Sequence, residues 1–323
     1  MTPPPPRAPG AGPPASGRRL RVAGTELFVR EVGEGAPVVL CNGIGAHVEM
    51  WRPLERALDG VRIISFDAPG TGRSQTRLLP SSMSGLARLV AALFDRLGLE
   101  RADVLGYSFG GALAQELAAR HPDRVRRLVL AATLPGWGGV PGRLTAMLSM
   151  GTPLRYYSRP VFERTAPTIA GGRARHDRDH VRRMWTDRAG YVPSPTGYAQ
   201  QLWAMTTWSG LAALGRIQAP TLVVAGDDDP LVPMSNAFMM AARIPRARVF
   251  VGPGEGHFQL LDENSPTLPA IREFLVADRL ADAPVWRSAA RVQPEQVAAQ
   301  LRSDGLGALP WGALSAVVRR VVG

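Results

Sequence analysis

The hexapeptide Gly106-Tyr107-Ser108-Phe109-Gly110-Gly111 decides the fold of this 323-residue chain. An apolar run over Ala102–Tyr107 leads into it and predicts a strand, while the spacing over Gly110–His121 predicts a helix. A serine between two glycines at a strand-to-helix junction is the G-x-S-x-G pattern, in which a sharp turn exposes the hydroxyl. Side chains at the two flanking glycines would clash in that turn. The stretch therefore predicts Ser108 as a nucleophile raised out of a tight bend.

Strands and helices alternate on both sides of this turn. Further strands are predicted at Thr25–Val32, Pro37–Cys41, Val61–Phe66, Val125–Ala131, Pro220–Ala225 and Ala247–Val251. Further helices are predicted at Ser84–Leu97, Met234–Arg243 and Pro266–Ala281. Because most of the apolar runs are continuous, we expect both sheet faces to be covered. The fold class is therefore α/β, with a mostly parallel sheet and helices on both faces.

The alternation of strands and helices is interrupted once, and a segment at each end of the chain lies outside it. Residues 135–215 break it with short helical patterns and are interpreted as an inserted helical cap. The core then consists of 18–134 and 216–282. The Pro-rich residues 1–17 are predicted to be disordered, because they have little to bury. Residues 283–323 form a C-terminal extension, in which the spacing from Trp311 to Val321 predicts either a helix packed on the body or an amphipathic surface-binding helix.

A serine nucleophile needs a base, and the base needs a carboxylate that orients it. His257 follows the last predicted strand in a Gly-rich loop, so it is the candidate base. Asp227, Asp228 and Asp229 follow the strand before it and compete for the role of the acid. Ser, Asp and His then come in the chain order that this kind of site uses.

The negative oxygen formed during acyl transfer needs two backbone donors. One is expected from the N–H of Phe109, directly after the nucleophile. The other is expected from the loop 42–45 after the Pro37–Cys41 strand, with Ile44 preferred and Gly43 as its alternative. This chemistry requires no metal and no other cofactor.

Composition limits the partners of the chain. The net charge is +11 and all 38 basic residues are arginine, but they are spread along the sequence, so a nucleic-acid partner is not expected. Cys41 is the only cysteine, which fits a reducing compartment. No apolar stretch approaches the roughly 20 residues of a membrane span, and the first residues do not resemble a signal peptide. We therefore expect a soluble, cytoplasmic protein.

Several stretches resemble a known family. They are Asn42–Ala46, Gly111–Gln115, Leu128–Thr133, Ala166–Gly172 and Pro220–Pro233. On these stretches, residues 20–280 resemble the α/β-hydrolase superfamily and, more narrowly, the intracellular depolymerases of medium-chain-length poly(3-hydroxyalkanoates). The stretch 166–172 carries most weight, because caps differ between hydrolase subfamilies. The chain departs from those depolymerases at Phe109, because tryptophan is the residue associated with this position in them.

The resemblance implies a catalytic triad of Ser108, Asp229 and His257, with Asp227 as the alternative acid. It also implies a serine ester hydrolase that depolymerises a water-insoluble polyester through an acyl-enzyme and works at storage granules in the cytoplasm. An apolar channel for the polymer would have as candidate lining residues Met147, Met150, Trp203, Met205 and Trp208.

Other functions of the same scaffold stay open. A small-molecule esterase, a lactonase or a cofactor-free haloperoxidase-like hydrolase would use the same triad. A carbon–carbon bond hydrolase is a further alternative, and a non-catalytic granule-binding protein is the last.

Overall fold

A single eight-stranded sheet organises the molecule. The computed structural model describes residues 16–188 and 190–304. The strands are β1 (Arg18–Val22), β2 (Thr25–Val32), β3 (Ala36–Cys41), β4 (Val61–Phe66), β5 (Ala102–Tyr107), β6 (Val125–Ala131), β7 (Thr221–Gly226) and β8 (Ala247–Gly252). Their order in the sheet is β1-β2-β4-β3-β5-β6-β7-β8.

The sheet is mostly parallel, as predicted. Only the β1–β2 and β2–β4 pairs are antiparallel, and every pair from β4 to β8 is parallel. All residues of β5 and β7 are buried, which explains why these central strands have continuous apolar runs. The α/β-hydrolase architecture is confirmed, and β1 is an edge strand that the sequence analysis did not predict.

Helices cover both sheet faces. They are α1 (Arg52–Ala57), α2 (Met83–Arg96), α3 (Phe109–Arg120), α4 (Leu144–Met150), α5 (Leu154–Tyr157), α6 (Arg159–Ala170), α7 (Arg178–Arg188), α8 (Pro195–Thr206), α9 (Ser235–Arg243), α10 (Thr267–Val276), α11 (Pro284–Ser288) and α12 (Pro294–Ser303). Apolar side chains of α2, α3 and α9 form the core on one face, and those of α1, α10 and α11 form it on the other. The predicted helix 266–281 is wrong at its C-terminal end, because the backbone becomes extended at Ala277.

The chain between β6 and β7 is helical. It contains α4 to α8, and the part of it that the structure describes has no strand. Its helix α8 lies on the loop after β4, where Ser194 N–H donates to the carbonyl of Gly70 (2.9 Å). Gly197 approaches Gly70 so closely that a Cβ on either residue would overlap the other's backbone. The helical insertion is thus held tightly against the sheet domain.

The described part of the C-terminal extension is integrated into the body. Ala290 forms a bridge with Val249 of β8, and Asp304 accepts a hydrogen bond from Ser235 N–H (2.9 Å). Val297 of α12 is fully buried against the α9 side of the molecule. Of the residues 1–17 that were predicted to be disordered, 1–15 lie outside the described residues, and so does the predicted helix 311–321. Among the described helices, none has the length and apolar character that crossing a membrane requires.

Candidate active site

Ser108 lies at the bend between β5 and α3. Its φ is +54°, a left-handed conformation that non-glycine residues rarely adopt. The bend is tight because α3 passes directly over β3: a Cβ at Gly110 would overlap the carbonyl oxygen of Cys41. Two hydrogen bonds hold the strained residue, from Ser108 N–H to the carbonyl of Ala131 (3.0 Å) and from Thr133 Oγ1 to the carbonyl of Ser108 (2.7 Å).

The structure brings Ser108, His257 and Asp229 into one hydrogen-bonded chain. His257 Nε2 lies 3.0 Å from Ser108 Oγ, and His257 Nδ1 lies 2.8 Å from Asp229 Oδ2. The side chains of His257 and Asp229 are only 3% and 1% exposed. The second carboxylate oxygen, Oδ1, accepts the N–H groups of Leu231 and Val232, each at 2.9 Å. The carboxylate is therefore fixed in one orientation behind the imidazole.

The other two aspartates of the loop face away from His257. Asp227 Oδ1 accepts the N–H of Gly254 at 2.7 Å. Asp228 accepts two hydrogen bonds from Arg175, at 2.7 and 2.9 Å, and these pull its pKa below the ordinary value although burial works in the opposite direction. Asp229 is therefore the carboxylate of the three that is positioned to orient the imidazole.

Backbone amides of the loop 42–45 face the same pocket as Ser108. The N–H of Gly43 donates to Asn42 Oδ1 (2.8 Å), and the N–H of Gly45 donates to Gln201 Oε1 (2.9 Å). The N–H of Ile44, between them, has no hydrogen-bond partner in the described structure. The N–H of Phe109 opens α3 and so has no acceptor within the helix. Ile44 and Phe109 thus keep donors available, whereas the Gly43 donor is occupied.

A buried ionic cluster supports this loop. Asn42 Nδ2 donates to the carbonyl of His47 (2.9 Å), and His47 Nδ1 lies 2.8 Å from Glu49 Oε2. Arg73 donates to the other oxygen of Glu49 at 2.5 Å. Burial by itself raises the pKa of Glu49, but the hydrogen bond from His47 and the charges of His47 and Arg73 outweigh it and lower this pKa to about 2. Glu49 therefore stays ionised at neutral pH, and its contacts tie the loop to the core.

Three contacts connect the helical insertion to the reactive groups. Tyr156 of α5 donates its hydroxyl to the carbonyl of Ile44 (2.6 Å). Gln201 of α8 accepts from Gly45, and the carbonyl of Ala170 in α6 accepts the N–H of His257 (2.5 Å). The sequence analysis missed Tyr156 and Gln201, because their partners lie more than 100 residues away and no local pattern marks them.

The stretch 166–172 ends α6 against the loops that carry Asp228 and His257. Gly171 and Gly172 have φ values of +65° and +50°. A Cβ at Gly171 would overlap the carbonyl oxygen of Asp228, and Gly172 N–H donates to Asp228 Oδ2 (2.7 Å). This part of the insertion therefore positions the two loops that carry the acid and the base. These contacts explain why glycines stand at 171 and 172.

The cavity beside Ser108 is small in this structure. Its volume is about 20 Å³, roughly the room that one water molecule needs. Of the five predicted channel residues, Met150 lines it and the other four do not: Met147 and Trp203 are each 45% exposed, while Trp208 and Met205 pack into the core. The prediction was wrong for those four because helical spacing does not tell which side of a helix between β6 and β7 faces the pocket. The lining residues are Gly43, Ile44, Ala46, Met50, Tyr107, Ser108, Met150, Arg155, Tyr156, His257 and Phe258.

Sequence and fold comparisons agree with this geometry. Residues 36–264 match the family described as the alpha/beta hydrolase fold. The chain belongs to this family. The α/β hydrolase is 41% identical over 246 residues to a poly(3-hydroxyalkanoate) depolymerase of Ectopseudomonas oleovorans, a match that covers 75% of this chain and 85% of the depolymerase. The predicted resemblance is thus confirmed.

More distant relatives share the fold with other named activities. The α/β hydrolase is 26% identical over 274 residues to a 2-hydroxy-6-oxo-2,4-heptadienoate hydrolase of Pseudomonas putida, covering 81% of this chain and 97% of that enzyme. Its structure matches the meta-cleavage product hydrolase of Pseudomonas fluorescens IP01 with a TM-score of 0.68 and 24% identity, over 80% of this chain and 97% of that one. Within residues 16–188 and 190–304, no three His, Cys, Asp or Glu side chains are grouped as metal ligands.

Proposed function

We propose that this α/β hydrolase cleaves carboxylic esters with Ser108 as nucleophile, His257 as general base and Asp229 as the orienting acid. The observation that carries the proposal is the continuous hydrogen-bonded chain from Asp229 through His257 to Ser108. The strained bend supports it as well, because such strain persists only where the surrounding structure enforces it.

The proposed reaction has two stages. Ser108 Oγ attacks the ester carbonyl while His257 Nε2 takes its proton, and the negative oxygen accepts hydrogen bonds from the N–H groups of Ile44 and Phe109. His257 then protonates the leaving alcohol, which leaves an acyl group on Ser108. Water, deprotonated by His257, attacks this acyl-enzyme, and His257 returns that proton to Ser108 Oγ as the carboxylic acid is released. Asp229 stabilises the imidazolium in both stages.

The proposed substrate is a poly(3-hydroxyalkanoate), a polyester whose cleavage yields hydroxy acids. The support is the 41% identity to a poly(3-hydroxyalkanoate) depolymerase over most of both chains. The contacts of residues 166–172 with the catalytic loops add to this, because they give the cap-like insertion between β6 and β7 a part in the site. Action at storage granules inside the cell belongs to the same proposal.

The test compares wild type with Ser108→Ala on amorphous medium-chain polyester granules and on short p-nitrophenyl esters. Wild type is expected to clear the granules and to release p-nitrophenol, and Ser108→Ala is expected to do neither. Equal clearing by both proteins would disprove Ser108 as nucleophile. Cleavage of soluble esters without any clearing would disprove the polyester substrate alone.

A small-ester hydrolase is the second candidate, because one observation favours it. The cavity of about 20 Å³ beside Ser108 accommodates a short acyl group more readily than a segment of polymer. For a small-ester hydrolase, kcat/KM would fall steeply from acetate to octanoate esters. For the depolymerase, it is expected to stay level or rise with acyl length.

A further inference from the structure

Large apolar side chains are exposed mainly in one region of the molecule. In the described parts of the chain, seven of the nine exposed large hydrophobic side chains belong to the segment between β6 and β7. Five of them lie on α4 and α5, and we call this group the α4–α5 face. Its members and their exposed fractions are Leu144 (71%), Met147 (45%), Leu148 (69%), Leu154 (55%) and Tyr157 (46%).

Helix α4 presents its larger apolar residues to solvent and its smallest one to the protein. Ala146 is the one buried residue of α4, whereas Leu144 and Leu148 are exposed and lie one turn apart on the same side. A single exposed leucine is ordinary on a protein surface. A group of five on two consecutive helices is the kind of patch that marks a binding surface.

The α4–α5 face lies on the two helices that also line the cavity beside Ser108. The same two helices contribute Met150, Arg155 and Tyr156 to the lining of the cavity that contains Ser108. Tyr156 also hydrogen-bonds the carbonyl of Ile44. A partner that binds the outer side of α4 and α5 is thus brought close to the cavity beside Ser108.

The charge of the face indicates what it binds. Residues 144–154 contain no charged side chain, although the chain carries 38 arginines and a net charge of +11. Of the two flanking arginines, Arg155 is buried and Arg143 alone is exposed, directly before Leu144. A surface for anionic lipid or nucleic acid would present a cluster of arginines. An uncharged face of leucine, methionine and tyrosine fits a neutral, aliphatic surface instead.

We infer that the α4–α5 face docks this enzyme onto the surface of the solid polyester. This inference rests on the proposed function. It adds to that function the surface by which the enzyme binds the solid polymer particle. Burial of Leu144, Leu148 and their neighbours against the alkyl side chains of the polymer provides the adhesion. Docking also holds the side of the cavity that α4 and α5 line against the polymer chains to be cleaved.

The test uses the full chain with Leu144→Asp and Leu148→Asp combined. Its matched control is Arg272→Asp, an exposed position on α10 that changes the net charge by the same −2. Binding to amorphous medium-chain poly(3-hydroxyalkanoate) particles is measured by sedimentation in a Ser108→Ala background, so that no polymer is consumed. Particle clearing and hydrolysis of p-nitrophenyl butyrate are measured with Ser108 intact.

The double variant is expected to lose at least tenfold in particle binding and in particle clearing. Its rate on soluble p-nitrophenyl butyrate should stay within twofold of wild type, because neither leucine lines the cavity. Arg272→Asp should stay within twofold in all three measurements. Leu144→Ser with Leu148→Ser removes the apolar surface without adding charge and should reproduce the loss, which keeps the test valid if the aspartates impair folding.

Each alternative outcome overturns the inference in a distinguishable way. If the double variants bind and clear particles like wild type, the docking surface is wrong and the proposed function stands. If wild type itself neither binds nor clears particles, the polyester substrate fails together with the docking surface. Tighter binding to phosphatidylcholine vesicles than to polyester would assign the face to lipid. A wild-type dimer that the double variant dissociates would assign it to a second copy of this chain.

Discussion

Replacing Asp229 by asparagine tests the site most directly. Oδ1 of Asp229 accepts two buried backbone N–H groups, from Leu231 and Val232, and Oδ2 faces His257 Nδ1. The amide oxygen of asparagine must keep the place of Oδ1, because turning the amide leaves two buried donors unpaired at about 1–3 kcal/mol each. The amide NH2 then points at Nδ1 of His257 and requires that nitrogen to accept.

This forces the proton of the neutral imidazole onto Nε2, which faces Ser108. The base then cannot take the serine proton, and kcat on a soluble ester is expected to fall about 10⁴-fold, or roughly 5 kcal/mol of transition-state stabilisation. Since the variant keeps the two backbone hydrogen bonds, its melting temperature should change little. Initial rates with p-nitrophenyl butyrate and a thermal melt measure both quantities.

Asp227→Asn is the matched control. Asp227 contacts Gly254 N–H and has no hydrogen bond to His257, so its variant should keep its rate within about twofold. The reasoning is refuted if Asp229→Asn keeps more than a tenth of the wild-type rate. It is equally refuted if Asp227→Asn loses as much activity as Asp229→Asn does.

Three further perturbations test other parts of the structure. Gln201→Leu leaves the buried N–H of Gly45 without its acceptor, so kcat on a soluble ester should fall about tenfold or more with little change in KM; an unchanged kcat would exclude Gln201 as a positioning residue. Gly110→Ala forces a Cβ onto the carbonyl of Cys41 and should cost about 1–3 kcal/mol in urea unfolding or prevent folding; a wild-type midpoint would contradict the tight bend. Burial raises the pKa of Glu255 to about 7. The contribution of this side chain to the stability of the folded protein is therefore fully present below pH 4.5, where it is protonated, and is lost as pH rises through 7. At pH 8, Glu255→Gln should therefore have a free energy of unfolding about 1 kcal/mol above that of wild type, after solvent screening, and a higher urea midpoint. At pH 4 the two proteins should have the same midpoint.

Local sequence patterns predicted the framework of the molecule. Apolar runs, most of them continuous, identified seven of the eight strands, because a strand covered on both faces needs apolar residues throughout. The exception, β1, is an edge strand with three exposed arginines in five residues. The G-x-S-x-G stretch predicted the bend at Ser108, because Gly106 faces the first turn of α3 within the same strand–turn–helix unit, whereas the space at Gly110 is closed by Cys41 of the neighbouring strand β3.

The sequence by itself thus determined the sheet, the strained serine and the loop that carries His257, since each follows from short-range backbone geometry and apolar periodicity. Only the tertiary structure decided which aspartate faces the imidazole, which amide of the loop 42–45 keeps a free donor and which residues between β6 and β7 line the cavity. The cavity lining and the occupied donor of Gly45 depend on how α4 to α8 sit on the sheet, whereas the orientation of Asp229 depends on how the loops after β7 and β8 meet. The arrangement of α4 to α8 is fixed by contacts such as Gln201 with Gly45 and Tyr156 with Ile44, between residues more than 100 positions apart.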